Sequence, residues 1–287
     1  MSAKIAKCGL CDEERALNHS HVVPDLFIKL VESDRVTGAA GQTKPHVILA
    51  TTGESGKKKG VYPAQRGSWE SKIGIKEYLF CAKCESKLSV WETYARDVLY
   101  GNSPAPCPKL ELGVSIIDRV DPRLRQSAQL HDLRSVKDIE YKKFKLFQLS
   151  LLFRAGIANA KQFSAVNLGD KHIQRLRGML LNDDPGDVLQ YPCMMISLIE
   201  GSWSFEDLIM DPVGGRDKIA GLFSYHMTLG GYIWIFEVSS HKASSEASYA
   251  LNLSGDMLIP VMSGARVIQR ALSALPMIDG NWRSKML

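Results

Sequence analysis

The chain has 287 residues, 45% hydrophobic and 23% charged, which excludes a disordered or fibrous protein and provides for a sizeable core. Its 36 Lys and Arg outnumber its 31 Asp and Glu, and the net charge of +5 permits a polyanionic partner without requiring one. The opening "MSAKIAKCGLCDEE" lacks an apolar signal core, and no stretch approaches the roughly 18 apolar residues of a membrane span, so a cytoplasmic, non-membrane protein is expected.

The first feature along the chain is a C-x-x-C pair, Cys8 and Cys11. The same spacing returns at Cys81 and Cys84. Each such turn aims two thiolates at one metal, and two turns complete a tetrahedral sulfur cage, so a structural zinc ion on these four residues is expected. The other reading, coincidence or a pair of disulfides, suits a reducing compartment poorly. Cys107 and Cys193 stand alone and read as buried apolar side chains.

Between the two pairs, "LNHSHVVPDLFIKLVES" reads as a short strand at "HVVP" stopped by Pro24, then a helical turn with Leu26, Phe27 and Leu30 apolar. Residues 34–76 form an insertion rich in glycine and polar residues. Its segment "GESGKKKGVYPAQRGSW" gathers Lys57, Lys58, Lys59 and Arg66 near Tyr62 and Trp69. Such a loop suits phosphate contacts and base stacking, although a solvated loop has the same composition. "IGIKEYLFC" reads as a strand delivering Cys81, and a helix begins near residue 84. On that helix Glu85 and Glu92 are two turns apart and share a face with Ser89, while Leu88, Trp91, Ala95 and Val98 form an apolar stripe. Glu85 also suits the first-turn dipole, and Glu92 could pair with Arg96 at i,i+4.

The order is therefore knuckle, strand with histidines, insertion, strand, knuckle, helix. In this order "SHVVP" (Ser20 to Pro24) resembles the D/H/S-H-x-x-P strand motif, and "CAKCE" (Cys81 to Glu85) the C-x-x-C-N/E helix start, of the zinc-bearing HNH endonuclease superfamily. The resemblance spans about residues 5–100 and implies a zinc-stapled ββα-metal module. It further implies His21 as general base, with Glu85 and Glu92 completing the catalytic group. Glu92, Glu85 and His19 would then hold a catalytic Mg²⁺ or Mn²⁺.

The implied activity is metal-dependent hydrolysis of DNA, in a prokaryotic or phage-encoded protein serving anti-phage or genome defence. Three positions differ from the superfamily pattern: Ser20 stands where many members carry Asp or His, Glu85 where they carry Asn, and Glu92 where they often carry a second His. Ser20 and Glu85 favour the alternative, a non-catalytic zinc-stabilised module binding nucleic acid or protein, whereas His21, Glu92 and the basic insertion favour hydrolysis.

Past residue 100, "GNSPAPCPK" opens a linker or irregular crossing over 101–139. Residues 140–287 read as an α+β domain, making the whole chain α+β. "IEYKKFKLFQLSLLFRAGIANA" is a strongly apolar helix with Phe144, Phe147, Leu151, Ala155 and Ala158 on one side. Arg154 on it reads as a buried ion-pair member or a phosphate-facing residue. "DKHIQRLRGMLLND" is a second helix ended by "DDPGD". "YPCMMISLIE", "GLFSYHMTLG" and "GYIWIFEVSS" read as strands, the last two joined by a hairpin turn at "LGGY", and "GARVIQRALSAL" as a final helix.

His131, His172 and His226 have no matching partners and read as structural. This part carries no nucleotide-binding glycine pattern and no catalytic triad, so it is expected to recognise a substrate, a partner protein, or a second copy of the chain. The chain as a whole also resembles bacterial proteins of similar length without a defined activity.

Overall fold

A computed structural model describes residues 4–28, 76–101, 110–111, 130–199, 209–216, 223–239 and 249–262. The basic insertion with Lys57, Lys58, Lys59 and Arg66, most of the linker with Cys107, and the expected final helix lie outside the described residues.

Strands β1 (Lys4–Lys7), β2 (Glu14–His21) and β3 (Lys76–Cys81) form an antiparallel sheet in that order, followed directly by helix α1 (Ala82–Tyr100). The histidine strand is longer and earlier than "HVVP": it starts at Glu14 and stops at His21. Val22 and Val23 follow the strand and are buried, and a turn closes after them with Phe27 N–H donating to Pro24 O at 3.0 Å. A β-bulge between Leu17 and His19 puts Asn18 and His19 outward and turns Ser20 into the core. On α1 the expected stripe Leu88, Trp91, Ala95 and Val98 is buried.

Two short strands follow, β4 (Leu110–Glu111) and β5 (Leu130–Val136), and then helix α2 (Tyr141–Ile157). Helix α2 departs from its one-sided expectation, since every residue from Phe144 to Ala155 is buried. A helix apolar nearly all round belongs in the middle of a structure, and α2 packs on both α1 and helix α3 (Gly169–Leu181).

The remaining strands are β6 (Cys193–Ser197), β7 (Met210–Arg216), β8 (Phe223–Leu229), β9 (Tyr232–Val238) and β10 (Met257–Met262). With β4 and β5 they build a seven-stranded mixed sheet in the order β4-β5-β10-β6-β9-β8-β7. The hairpin expected at "LGGY" joins β8 to β9 through Gly230 and Gly231, at φ +60° and +78°, the positive pair a two-residue turn needs.

Among the described residues both sheets and helices α1, α2 and α3 contribute to one hydrophobic core. Phe27, just after β2, lies 6.2 Å from Phe147 of α2 and 6.1 Å from Trp234 of β9, centroid to centroid. Tyr100 at the end of α1 donates to the Gly230 carbonyl at 2.7 Å. A Cβ on Gly230 would come within 2.1 Å of that hydroxyl and 2.4 Å of the Phe27 ring. Among the described residues no helix is long and apolar enough to cross a membrane.

Candidate functional site

Two turns bring the four cysteines together. Between β1 and β2, Cys8 N–H donates to Glu13 O at 3.0 Å and Asp12 N–H to Cys8 O at 2.9 Å, with Asp12 at φ +61°. Gly9 N–H then donates to Leu79 O of β3 at 2.8 Å. A Cβ at Gly9 would meet the Ile157 side chain of α2 at 2.8 Å and Leu79 O at 3.2 Å, so the knuckle lies close against both the helix and β3. The second pair straddles the junction of β3 and α1, and Cys81 N–H donates to Cys8 Sγ at 3.3 Å.

All four Sγ atoms lie within 4.8 Å of one another, and Cys11 and Cys81 are 4.0 Å apart. Metal–sulfur bonds of about 2.3 Å in a tetrahedron place sulfurs about 3.8 Å apart, so the cluster fits a tetrahedral S₄ ion. Three of the four residues are buried and Cys11 is partly so.

The thiols are electrostatically unequal. Burial raises the Cys8 thiol, but the backbone N–H groups of Cys11, Cys81 and Leu10 outweigh it and hold it below the ordinary value. Burial raises Cys84, and the sulfurs of Cys81, Cys8 and Cys11 add to the rise. Four such groups ionise together only around a cation, and with four protein sulfurs the sphere is closed: it has no open position for a water or substrate.

A second gathering lies where β2 ends against α1. His21 Nδ1 is 3.9 Å from Asp25 Oδ1. Burial, then the neighbouring Lys76, push the His21 imidazole below its ordinary value against the pull of Asp25, which leaves it neutral at pH 7. Glu85 and Glu92 both act on this corner. Glu85 Oε1 is buried and has no hydrogen-bond partner among the described residues.

Glu92 does not pair with Arg96, which bonds Asp97 at 2.8 Å. It forms an ion pair with Arg154 of α2. Arg154 also donates to the His21 carbonyl at 2.6 Å and lies over the Phe80 ring. Burial raises the Glu92 carboxyl, and Arg154 pulls it back.

His19 points elsewhere: its Nε2 meets the Lys76 carbonyl oxygen at 3.1 Å and its ring stacks on Tyr78 at 4.9 Å. Ser20 is buried, and its hydroxyl donates to Asn18 O at 3.3 Å. Among the described residues the cysteines are the one group of His, Cys, Asp and Glu side chains that converges closely enough for a metal.

One residue of this corner escaped sequence reading: Asp25 follows Pro24 directly, and its place one helical turn from His21 is a local signal. Arg154 is the buried ion-pair member that the sequence offered as one of two readings, but its partners were not legible, since it reaches His21 from 133 residues away. Cys193 is buried as expected. His172 bonds the Tyr191 hydroxyl at 2.9 Å and His226 meets Ser224 Oγ at 3.1 Å, both at a distance in sequence from the cysteines.

Compared with protein-family models, curated proteins and solved structures, the chain matches none.

Proposed function

We propose that the chain is a zinc-stapled, nucleic-acid-binding protein whose N-terminal module recognises its partner without hydrolysing it. One observation carries this reading. The single metal-competent cluster among the described residues is an all-sulfur, closed site, while Glu92, the carboxylate expected to hold a second cation, is engaged by buried Arg154. A closed thiolate set is the form structural zinc takes, and catalytic zinc keeps one position open. Nucleic acid is favoured as partner by the net charge of +5 and by Lys57, Lys58, Lys59 and Arg66 between the two cysteine pairs.

The test is binding of a labelled oligonucleotide over a range of salt. Replacing Lys57, Lys58 and Lys59 by Ala should weaken binding and flatten the salt slope by about 2 to 3, one counterion or so per lost phosphate contact. An unchanged affinity and slope would assign these lysines to a solvated loop.

A second reading, metal-dependent hydrolysis of DNA in the HNH manner, is favoured by a different observation. A neutral His21 stands in one corner with Asp25, Glu92 and a buried Glu85 oxygen that has no hydrogen-bond partner among the described residues. An imidazole of that kind takes a proton from water, and hard carboxylate oxygens suit Mg²⁺ or Mn²⁺. Nicking of a supercoiled plasmid with Mg²⁺ or Mn²⁺, abolished by EDTA and by His21→Ala, would establish this reading. Intact plasmid in every metal, with binding retained, supports the first.

A further inference from the structure

The outer face of the small sheet carries a pile of rings outside the cysteine cluster, bordering the His21 corner through Lys76, the strand partner of His21. His19 and Tyr78 are directly opposite in the β2–β3 register, with centroids 4.9 Å apart and planes at 25°. The Lys4 ammonium sits 5.4 Å from the Tyr78 centroid, and the bond from His19 Nε2 to the Lys76 carbonyl fixes the imidazole in place. Both rings face outward, and Tyr78 is 42% exposed. Among the described residues the core does not cover this pair, and only the Lys4 ammonium lies over the Tyr78 ring.

Among the described residues the unpaired charges nearest the pile are positive. At the far end of the hairpin Lys7 pairs with Asp12 at 3.9 Å and Arg15 pairs with Glu13, so that tip is neutralised locally. Glu14 stands opposite Lys7 at the same end. Glu77, next to Tyr78 in β3, is turned away and accepts the N–H groups of Asn159 and Ala160 at 3.0 and 2.8 Å. Among the described residues Lys4 and Lys76, whose ammonium groups are nearest the rings, have no carboxylate partner.

We infer that Lys4, His19, Tyr78 and Lys76 form a stacking platform for unpaired bases of a single-stranded nucleic acid. A base extends the ring pile, and the two lysines meet the flanking phosphates. A duplex hides the faces of its bases and offers only phosphates to the same surface, so the platform discriminates strandedness. This inference rests on the nucleic-acid reading above and specifies how the strand is held.

Fluorescence anisotropy of the full chain with labelled oligo-dT, oligo-rU and a duplex tests it. Tyr78→Ala should weaken single-strand binding about 5- to 100-fold, the effect of one lost base stack, and leave duplex binding unchanged. Tyr78→Phe should retain wild-type affinity, and Lys4→Ala should lower the single-strand salt slope by about 0.7. Preference between oligo-dT and oligo-rU then assigns the strand as DNA or RNA. Unchanged single-strand affinity in Tyr78→Ala, or an equal loss for strand and duplex, overturns the platform while leaving the binding function standing. A wild-type protein that binds none of the three overturns both.

Discussion

Arg154 holds three parts of the molecule at one point. Its side chain is 2% exposed, and it ties α2 to Glu92 of α1 and to the last carbonyl of β2. Removing the guanidinium leaves a carboxylate in a site from which water is largely excluded, and breaking a buried pair in this way costs about 3–5 kcal/mol. Arg154→Ala should therefore lower the urea midpoint strongly, whereas Arg154→Met combined with Glu92→Met should recover most of the loss, because both charges then leave together. A single variant as stable as wild type would show that the pair is solvated.

His21 supplies a prediction in pH. Its imidazole is depressed chiefly by burial, so below the unfolded value of about 6.5 the unfolded chain binds more protons than the folded one. Stability should fall as pH drops from 7 through that window, and His21→Gln should flatten part of the fall in thermal midpoints. His172, also depressed by burial, leaves a residual slope. Identical pH slopes in wild type and His21→Gln would mean that the imidazole is equally hydrated in both states.

The elements show where sequence reasoning succeeds. The cysteine pairs were legible because a C-x-x-C turn is a local object, and α1 because its apolar stripe repeats at helical spacing. Strands β8 and β9 were legible from their aromatic and β-branched runs and the glycine pair between them.

Strands β5, β7 and β10 were not, for identifiable reasons. β5 reads "LHDLRSV", with three charged or titratable residues that conceal its pairing. β7 carries Pro212 where its register with β8 breaks. β10 carries Pro260 in an interior position between β5 and β6, where a missing N–H argues against a strand. Its partners come from residues 130–136 and 193–197, so the pairing is a product of the whole fold.

At this scale the knuckle hairpin and the β3–α1 junction have one point of attachment through sulfur. Cys84→Ala should unfold at least β1 to α1, since metal binding energy there is folding energy. Circular dichroism that retains the native spectrum, with unchanged resistance to protease, would contradict that role.

Across the whole molecule, the small sheet and the large one meet through α2 rather than across a solvated seam. Phe27 packs on Phe147 and Trp234, Arg177 of α3 donates to Gly9 O of the knuckle at 3.1 Å, and Glu77 anchors the segment after α2. None of these contacts was legible in the sequence, because each joins residues far apart along the chain.

They carry a consequence for dissection: residues 1–101 expressed alone, even with zinc, expose Phe27 and the α1 stripe and leave Glu92 unpaired. That fragment should show no cooperative thermal transition, whereas the full chain should show one. A sharp, reversible melt of the isolated fragment would establish an independent folding unit.

The coherence of the N-terminal half depends on the closed sulfur cluster, and the metal content of the purified full chain tests this most directly. Elemental analysis should find about one zinc per chain, lost in Cys84→Ala. A wild-type chain that folds with no bound metal, or with stoichiometric iron in place of zinc, would contradict the account.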